Sequence, residues 1–220
     1  MGLTLRLEKE QSMTIHVNDH PLVKHKTTLL REKHISIKSF RELTNELTQL
    51  LMVDATKSLR VVEKPINCWS GTISAPLLEH HQPTLVPILR AGLGMLDGAL
   101  SILPCAKVSI VGFKRNEETL EADYYYQNIV NDINQRVAII IDPMLATGGT
   151  AIATIDLLKE SGCTEIKALF LVAAPEGINA LVNAHPDVEL FIGAKDECLN
   201  EKGYILPGLG DAGDKIFGTL

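Results

Sequence analysis

Short apolar runs alternate with amphipathic stretches through most of the second half of the chain. The runs lie at 85–89, 107–113, 137–141, 166–173 and 188–193, each bounded by polar or glycine-containing segments. That is the pattern of strands buried on both faces. Between them, 93–103, 150–161 and 176–184 carry apolar residues at helical spacing, with Ile152, Ile155 and Leu158 marking the second. Strands alternating with helices at this interval predict a mostly parallel sheet covered by helices. Upstream, Phe40, Leu43, Leu47, Leu50 and Leu51 recur on one helical face, predicting a long amphipathic helix over 36–59. Residues 61–82 mix Pro, Gly and alternating side chains and predict short strands off the main sheet. Residues 1–18 are polar and irregular, which predicts a flexible extension. The polar stretch 114–135 predicts a long loop, and the glycine-rich segment 201–220 resists any regular element.

The most informative run is VAIIIDPMLATGGT at 137–150. The apolar run predicts a central strand and places Asp142 at its carboxyl end, where open α/β sheets hold their ligands. Gly148 and Gly149 permit a turn in which backbone N–H groups converge on an anion. The helix that follows adds its free amides and dipole, so the turn suits a phosphate. No Lys follows the glycines, so this is not a P-loop. The G-x-G-x-x-G string at 208–213 is followed by too little chain for the helix and strand of a dinucleotide-binding unit.

Composition narrows the class. The chain has 220 residues, 45% hydrophobic and 22% charged, enough for a single domain (1–220) with a substantial core. A formal net charge of -6 disfavours broad binding to nucleic acid or to anionic membrane. No apolar run is long enough for a membrane helix, and no signal-peptide pattern opens the chain. Cys68, Cys105, Cys163 and Cys198 are widely spaced, which fits reduced thiols and a cytoplasmic protein better than disulfides or zinc.

Three more irregular segments follow strands. Arg90 ends the run ILRAG, and its guanidinium fork suits phosphate oxygens. KRNEET at 114–119 opens the long loop and reads as a solvated face or an active-site cover. The segment 204–215 is too apolar for a free tail (Ile205, Leu206, Leu209) and reads as a folded loop presenting its backbone. No Ser/His/Asp or Cys/His arrangement stands out. The absence of a nucleophile fits displacement on a substrate that already carries its leaving group.

These segments, in this order, resemble the uracil phosphoribosyltransferase family. PILRAGLGM (87–95), RNEETLE (115–121), DPMLATGGT (142–150), VAAPEGI (172–178), HPDVEL (185–190) and GYILPGLGDAGDKIFGT (203–219) carry the resemblance. HPLVKHK (20–26) and the LLRE that follows it fit the N-terminal arm. The resemblance implies a type I phosphoribosyltransferase-like α/β fold with an N-terminal helical arm and a C-terminal base-binding loop. It implies transfer of ribose 5-phosphate from phosphoribosyl pyrophosphate (PRPP) to N1 of uracil, giving UMP, with Mg²⁺. By carry-over the PRPP set is Arg90, Arg115, the run Asp142, Pro143, Met144, Leu145, Ala146, Thr147, Gly148, Gly149 and Thr150, and Asp211. Asp142, Arg115 and Asp211 are the catalytic expectations, and Asp211 faces the PRPP-borne Mg²⁺ indirectly. Ile205, Gly210, Asp211 and Ala212 read uracil. The resemblance further implies a homodimer or homotetramer and leaves GTP activation open, as it occurs in some relatives. Ala122 and Asp123 stand where the family usually has prolines, which loosens the expected lid. Two alternatives stay open: a phosphoribosyl-ligand-binding regulatory module acting on RNA, and a phosphoribosyltransferase for another base such as hypoxanthine or orotate.

Overall fold

The computed structural model describes residues 15–79, 82–115 and 122–219. The expected parallel α/β core is present, and its order explains where a ligand can sit. The first strand, β1 (Ile15–Val17), is followed by helices α1 (Pro21–Leu30) and α2 (Ile37–Ala55) and a hairpin, β2 (Val61–Cys68) and β3 (Gly71–Leu78). Then come β4 (Thr84–Leu89), α3 (Leu93–Ile102), β5 (Lys107–Val108), β6 (Ile110–Arg115) and β7 (Ala122–Asn128). The remainder is β8 (Val137–Leu145), α4 (Gly149–Glu160), β9 (Glu165–Ala173), α5 (Pro175–Ala184), β10 (Glu189–Lys195), the short pair β11 (Cys198–Leu199) and β12 (Ile205–Leu206), and α6 (Ala212–Phe217).

The main sheet runs β1-β10-β9-β8-β4-β6-β7, with β5 also paired to β4. All its pairings are parallel except β6 with β7. From β4 the chain moves outward to β6, then returns to lay β8 on the other side of β4 and continues to β9 and β10. The direction of winding therefore reverses between β4 and β8, the position at which open α/β sheets form their ligand crevice.

Alternation along the central strands sorts the core into two layers. Ile139, Ile141, Leu169 and Leu171 face α1, α2, α3 and α6, packing with Leu30, Leu47, Met95 and Ile216. Ala138, Ile140, Ala168 and Phe170 face α4 and α5, packing with Ile155, Leu158 and Leu181. α2 turns Phe40, Leu47, Leu51, Met52 and Ala55 inward, and the Ser36 hydroxyl caps it by accepting from Ser39 N–H at 3.0 Å.

Several expectations need correction. Residues 15–18 do not belong to a flexible extension as expected, because Ile15–Val17 pair with Leu190–Ile192 of β10 and Asn18 N–H donates to Ile192 O at 2.9 Å; the rest of that expectation, 1–14, lies outside the described residues. Three residues suffice because the rows of N–H and C=O on the edge of β10 supply the partners. The long helix stops at Ala55, short of the expected residue 59. The strand expected over 107–113 is broken at Ser109, whose N–H donates to Leu85 O at 2.8 Å while its hydroxyl meets Thr84 Oγ1 at 3.1 Å. The expected loop 114–135 contains β7, antiparallel to β6 with a register shift at Gly112/Phe113. Residues 61–78 form a two-stranded hairpin apart from the main sheet, as expected. The four cysteines are unpaired. Among the described residues no helix is long and apolar enough to cross a membrane.

Candidate active site

Asp142 does not end its strand. β8 continues through Pro143, Met144 and Leu145, pairing with β9 as far as Leu145↔Ala173. On the opposite flank, pairing with β4 stops at Pro87↔Ile141. Residues 142–145 therefore hold the sheet on one side and leave an open flank on the other. Pro143 can stand in a central strand because neither ladder gives it a rung, so its missing N–H costs nothing. Asp142 lies at the mouth of this opening. The residue retains some solvent access, but its carboxyl is crowded by protein. That burial pushes its pKa up to about 7, only partly countered by a hydrogen bond from the Met144 backbone.

After Leu145 the chain turns through Ala146, Thr147 and Gly148 into α4. Gly148 adopts φ 88, a left-handed conformation that glycine enters freely. The helix begins at Gly149, so the first amides of a twelve-residue helix follow the turn directly. Thr147 and Gly149 are exposed and Thr150 half-buried. This is a cradle of N–H groups with hydroxyls beside it, ready for a phosphate.

Arg90 follows β4 beside this opening, and the Leu89–Arg90 peptide is cis. Its exposed guanidinium reaches across to the end of the chain. Nη2 lies 3.2 Å from Asp214 Oδ1, and the group sits 5.9 Å from the Phe217 ring centre. An exposed pair of this kind contributes little to stability and is readily exchanged for a ligand anion. The Thr219 hydroxyl, donating at 2.6 Å, and then Arg90 hold Asp214 below the ordinary carboxylate range. Asp211 caps α6, its Oδ1 accepting from Asp214 N–H at 2.9 Å. Gly210 and Asp211 are exposed, whereas Ile205 and Ala212 are buried.

The geometry thus brings together Arg90, the 142–150 run and the 205–212 loop. β6 pairs with β4 at Leu89↔Gly112 and runs on to Arg115, which carries the Arg115 backbone past the end of β4 on the same edge of the sheet. The Arg115 side chain, and residues 116–121 of the expected lid, lie outside the described residues.

Sequence reasoning missed three supports. Gly177, in the first turn of α5, packs so closely on the phosphate turn that a Cβ there would lie 2.3 Å from Ala146 O. Glu176 accepts from Leu199 N–H at 3.0 Å and fixes the start of the segment 199–211, the C-terminal hood. Asp196 is buried and bonded to Arg31. The first two lie inside the VAAPEGI string, which marked them as a unit without giving a reason. Asp196 belongs to no motif and left no signal.

A turn of free amides at a helix start, an Asp at a split in the sheet and an Arg facing the C-terminal loop are the arrangement expected of a phosphoribosyltransferase. A family model described as uracil phosphoribosyltransferase matches residues 17–219, and the chain belongs to that family. It is also similar to the AQ2163 protein from Aquifex aeolicus, at 40% identity and TM-score 0.89, over 93% of this chain and 98% of that one. Two distant likenesses are an adenine phosphoribosyltransferase from Thermoanaerobacter pseudethanolicus (13% identity, TM-score 0.49, 72% and 84% of the two chains) and a hypoxanthine-guanine phosphoribosyltransferase from Bacillus anthracis (12%, 0.49, 70% and 78%).

Proposed function

We propose that the protein transfers the phosphoribosyl group from PRPP to N1 of uracil, giving UMP and diphosphate. Within a chain of this family, the carrying observation is the approach of Arg90 to the Asp211–Asp214 segment. This supports a reading in which Arg90 meets the diphosphate beside the base loop, where the C1–O bond would break and the C1–N1 bond form.

In this reading the 146–150 turn and the Thr147 and Thr150 hydroxyls hold the 5-phosphate, and Asp142 accepts from the ribose hydroxyls. Arg90, released from Asp214, and Arg115 engage the diphosphate. Their charge matters most as negative charge gathers on the leaving group, so they stabilise the transition state more than the ground state. Asp142 presents a negative charge near a ribose that becomes cation-like. Met144 and Leu145 serve by holding the turn in register with β9, and Pro143 links them to Asp142 without a rung of its own. Mg²⁺ bound with PRPP would supply positive charge to the diphosphate. The exposed Asp211 carboxylate fits it, since Mg²⁺ is commonly held by one or two carboxylates plus substrate phosphates. Ile205 walls the base, while the Gly210–Ala212 backbone offers a carbonyl to N3–H and an N–H to O4. Cytosine reverses both groups and would leave them unpaired.

The test is UMP formation from uracil and PRPP with Mg²⁺, with and without GTP, alongside cytosine, orotate and hypoxanthine. Product from uracil alone is expected. Product from another base overturns the uracil assignment, and PRPP binding without any product turns attention to a regulatory role and to RNA.

We also propose that the protein works as a homodimer or homotetramer joined through the β2–β3 hairpin. Trp69 at its tip is 100% exposed, and Val61, Ile73 and Leu77 are also exposed. A lone two-stranded ribbon is marginal in water, so such apolar side chains imply a covering surface. Trp69→Asp is expected to shift sedimentation toward a smaller species; a wild-type monomer would remove the proposal.

A further inference from the structure

The base loop is held from behind by an ion pair that no substrate role accounts for. Asp196 follows β10 at the upper edge of the sheet, where its N–H donates to Ala173 O at 2.8 Å, and its side chain is only 2% exposed. Arg31, the residue that caps α1, meets it with both arms of the guanidinium: Nη1 to Oδ2 at 2.9 Å and Nη2 to Oδ1 at 2.5 Å. Such a fork fixes orientation as well as distance. Both partners then continue to the same residue. Gly208 N–H donates to Asp196 Oδ2 at 2.9 Å, and Arg31 Nη1 donates to Gly208 O at 2.9 Å.

Gly208 is the pivot of the loop. It has φ 61, and a Cβ on it would lie 2.1 Å from Ile205 O. Side chains are thus excluded, and the turn cannot hold itself by packing at this residue. Both of its backbone polar groups end on the ion pair instead. Everything that follows, from Leu209 to the cap of α6, takes its starting direction there. A buried ion pair contributes weakly to net stability, because desolvation offsets its attraction. Its value here is directional.

We propose that Arg31 and Asp196 form a positioning dyad that sets the register of the base-reading loop through Gly208, and so controls affinity and selectivity for the nucleobase but not for PRPP. The proposal rests on the phosphoribosyl-transfer reading and adds two residues to its base-selecting part.

The test compares three full-length proteins: wild type, Arg31→Lys and the double variant Arg31→Met/Asp196→Asn. Lys keeps the charge but cannot span both carboxylate oxygens and the carbonyl. The double variant avoids stranding a buried charge and leaves Asn as an acceptor for Gly208 N–H. In the double variant the KM for uracil is expected to rise at least tenfold and discrimination against cytosine to weaken, with the KM for PRPP within twofold. Arg31→Lys should fall between. Amide exchange should quicken in peptides covering 204–213 and stay unchanged over 142–150. An unchanged uracil KM, or both KM values and kcat shifting together, overturns the dyad. If the double variant fails to fold, Arg31→Lys carries the same comparison. Should wild type prefer another base, the uracil assignment fails while the KM for that base still judges the dyad. With no turnover at all, the exchange contrast alone decides, and an unaltered 204–213 rejects it.

Discussion

Asp142→Asn is expected to lower kcat/KM for PRPP by about a hundred- to a thousandfold, the usual cost of removing one well-placed electrostatic group. The substitution keeps size and shape, so the fold should survive. The pH profile carries the sharper test. The free protein holds the Asp142 carboxyl with a pKa of about 7, raised by burial. If the carboxylate form receives the ribose, kcat/KM for wild type rises as pH passes upward through about 7, and the Asn variant loses that limb. Stability should move the other way. The unfolded chain gives up this proton near the ordinary carboxylate value, the folded one only near 7. Between those values the folded state binds more protons, so wild-type stability falls as pH rises across the window. Above it the variant should therefore melt higher than wild type, with the difference shrinking toward pH 4. Equal melting at pH 8 and an unaltered pH profile would together remove Asp142 from the reacting site.

Gly177→Ala should strongly damage the protein although Gly177 touches no ligand. A Cβ on Gly177 would stand 2.3 Å from Ala146 O and 3.0 Å from Leu145 O, both backbone atoms that cannot swing aside. Either α5 or the phosphate turn must move. Overpacking of this kind costs about 2 kcal/mol, roughly 4–8 °C in Tm for a chain of this size. Because the displaced atoms belong to the turn proposed to cradle the phosphate, the KM for PRPP should rise about tenfold or more even well below the melting temperature. A lower Tm with an unchanged PRPP KM would show that the helix yields and the turn does not, which would refute a rigid cradle.

The fold was legible where burial is two-sided. Runs such as 137–141 are apolar because both faces of the central strands are covered, and no competing pattern obscured them. β7 was illegible for the opposite reason. It is an edge strand with Tyr124, Tyr125 and Tyr126 all exposed, so no alternation separates an inner from an outer face. The extent of β8 was also hidden, since a proline normally closes a central strand. Only the pairing of two different neighbours shows why Pro143 is harmless. The 142–150 turn was readable because its features are local: the turn, its glycines and the helix start are contiguous. The support behind the base loop was not. Arg31 and Asp196 are 165 positions apart and neither residue type is unusual where it stands.

That distance also bears on how the molecule comes into being during synthesis. The parallel sheet is complete at Lys195, yet the hood, α6 and the partner of Arg90 all lie beyond it. α6 is clasped by early parts of the chain: Arg41 donates to Ile216 O at 2.7 Å, and Lys215 lies 5.5 Å above the Phe40 ring. A nascent chain that has reached Lys195 can therefore lay down the sheet and the 146–150 turn, while one core layer still lacks Ile205, Leu209, Ala212 and Ile216 and the proposed base pocket does not yet exist. On the proposed function, a chain stopped there would carry the turn offered to sugar phosphate but lack the loop offered to the nucleobase.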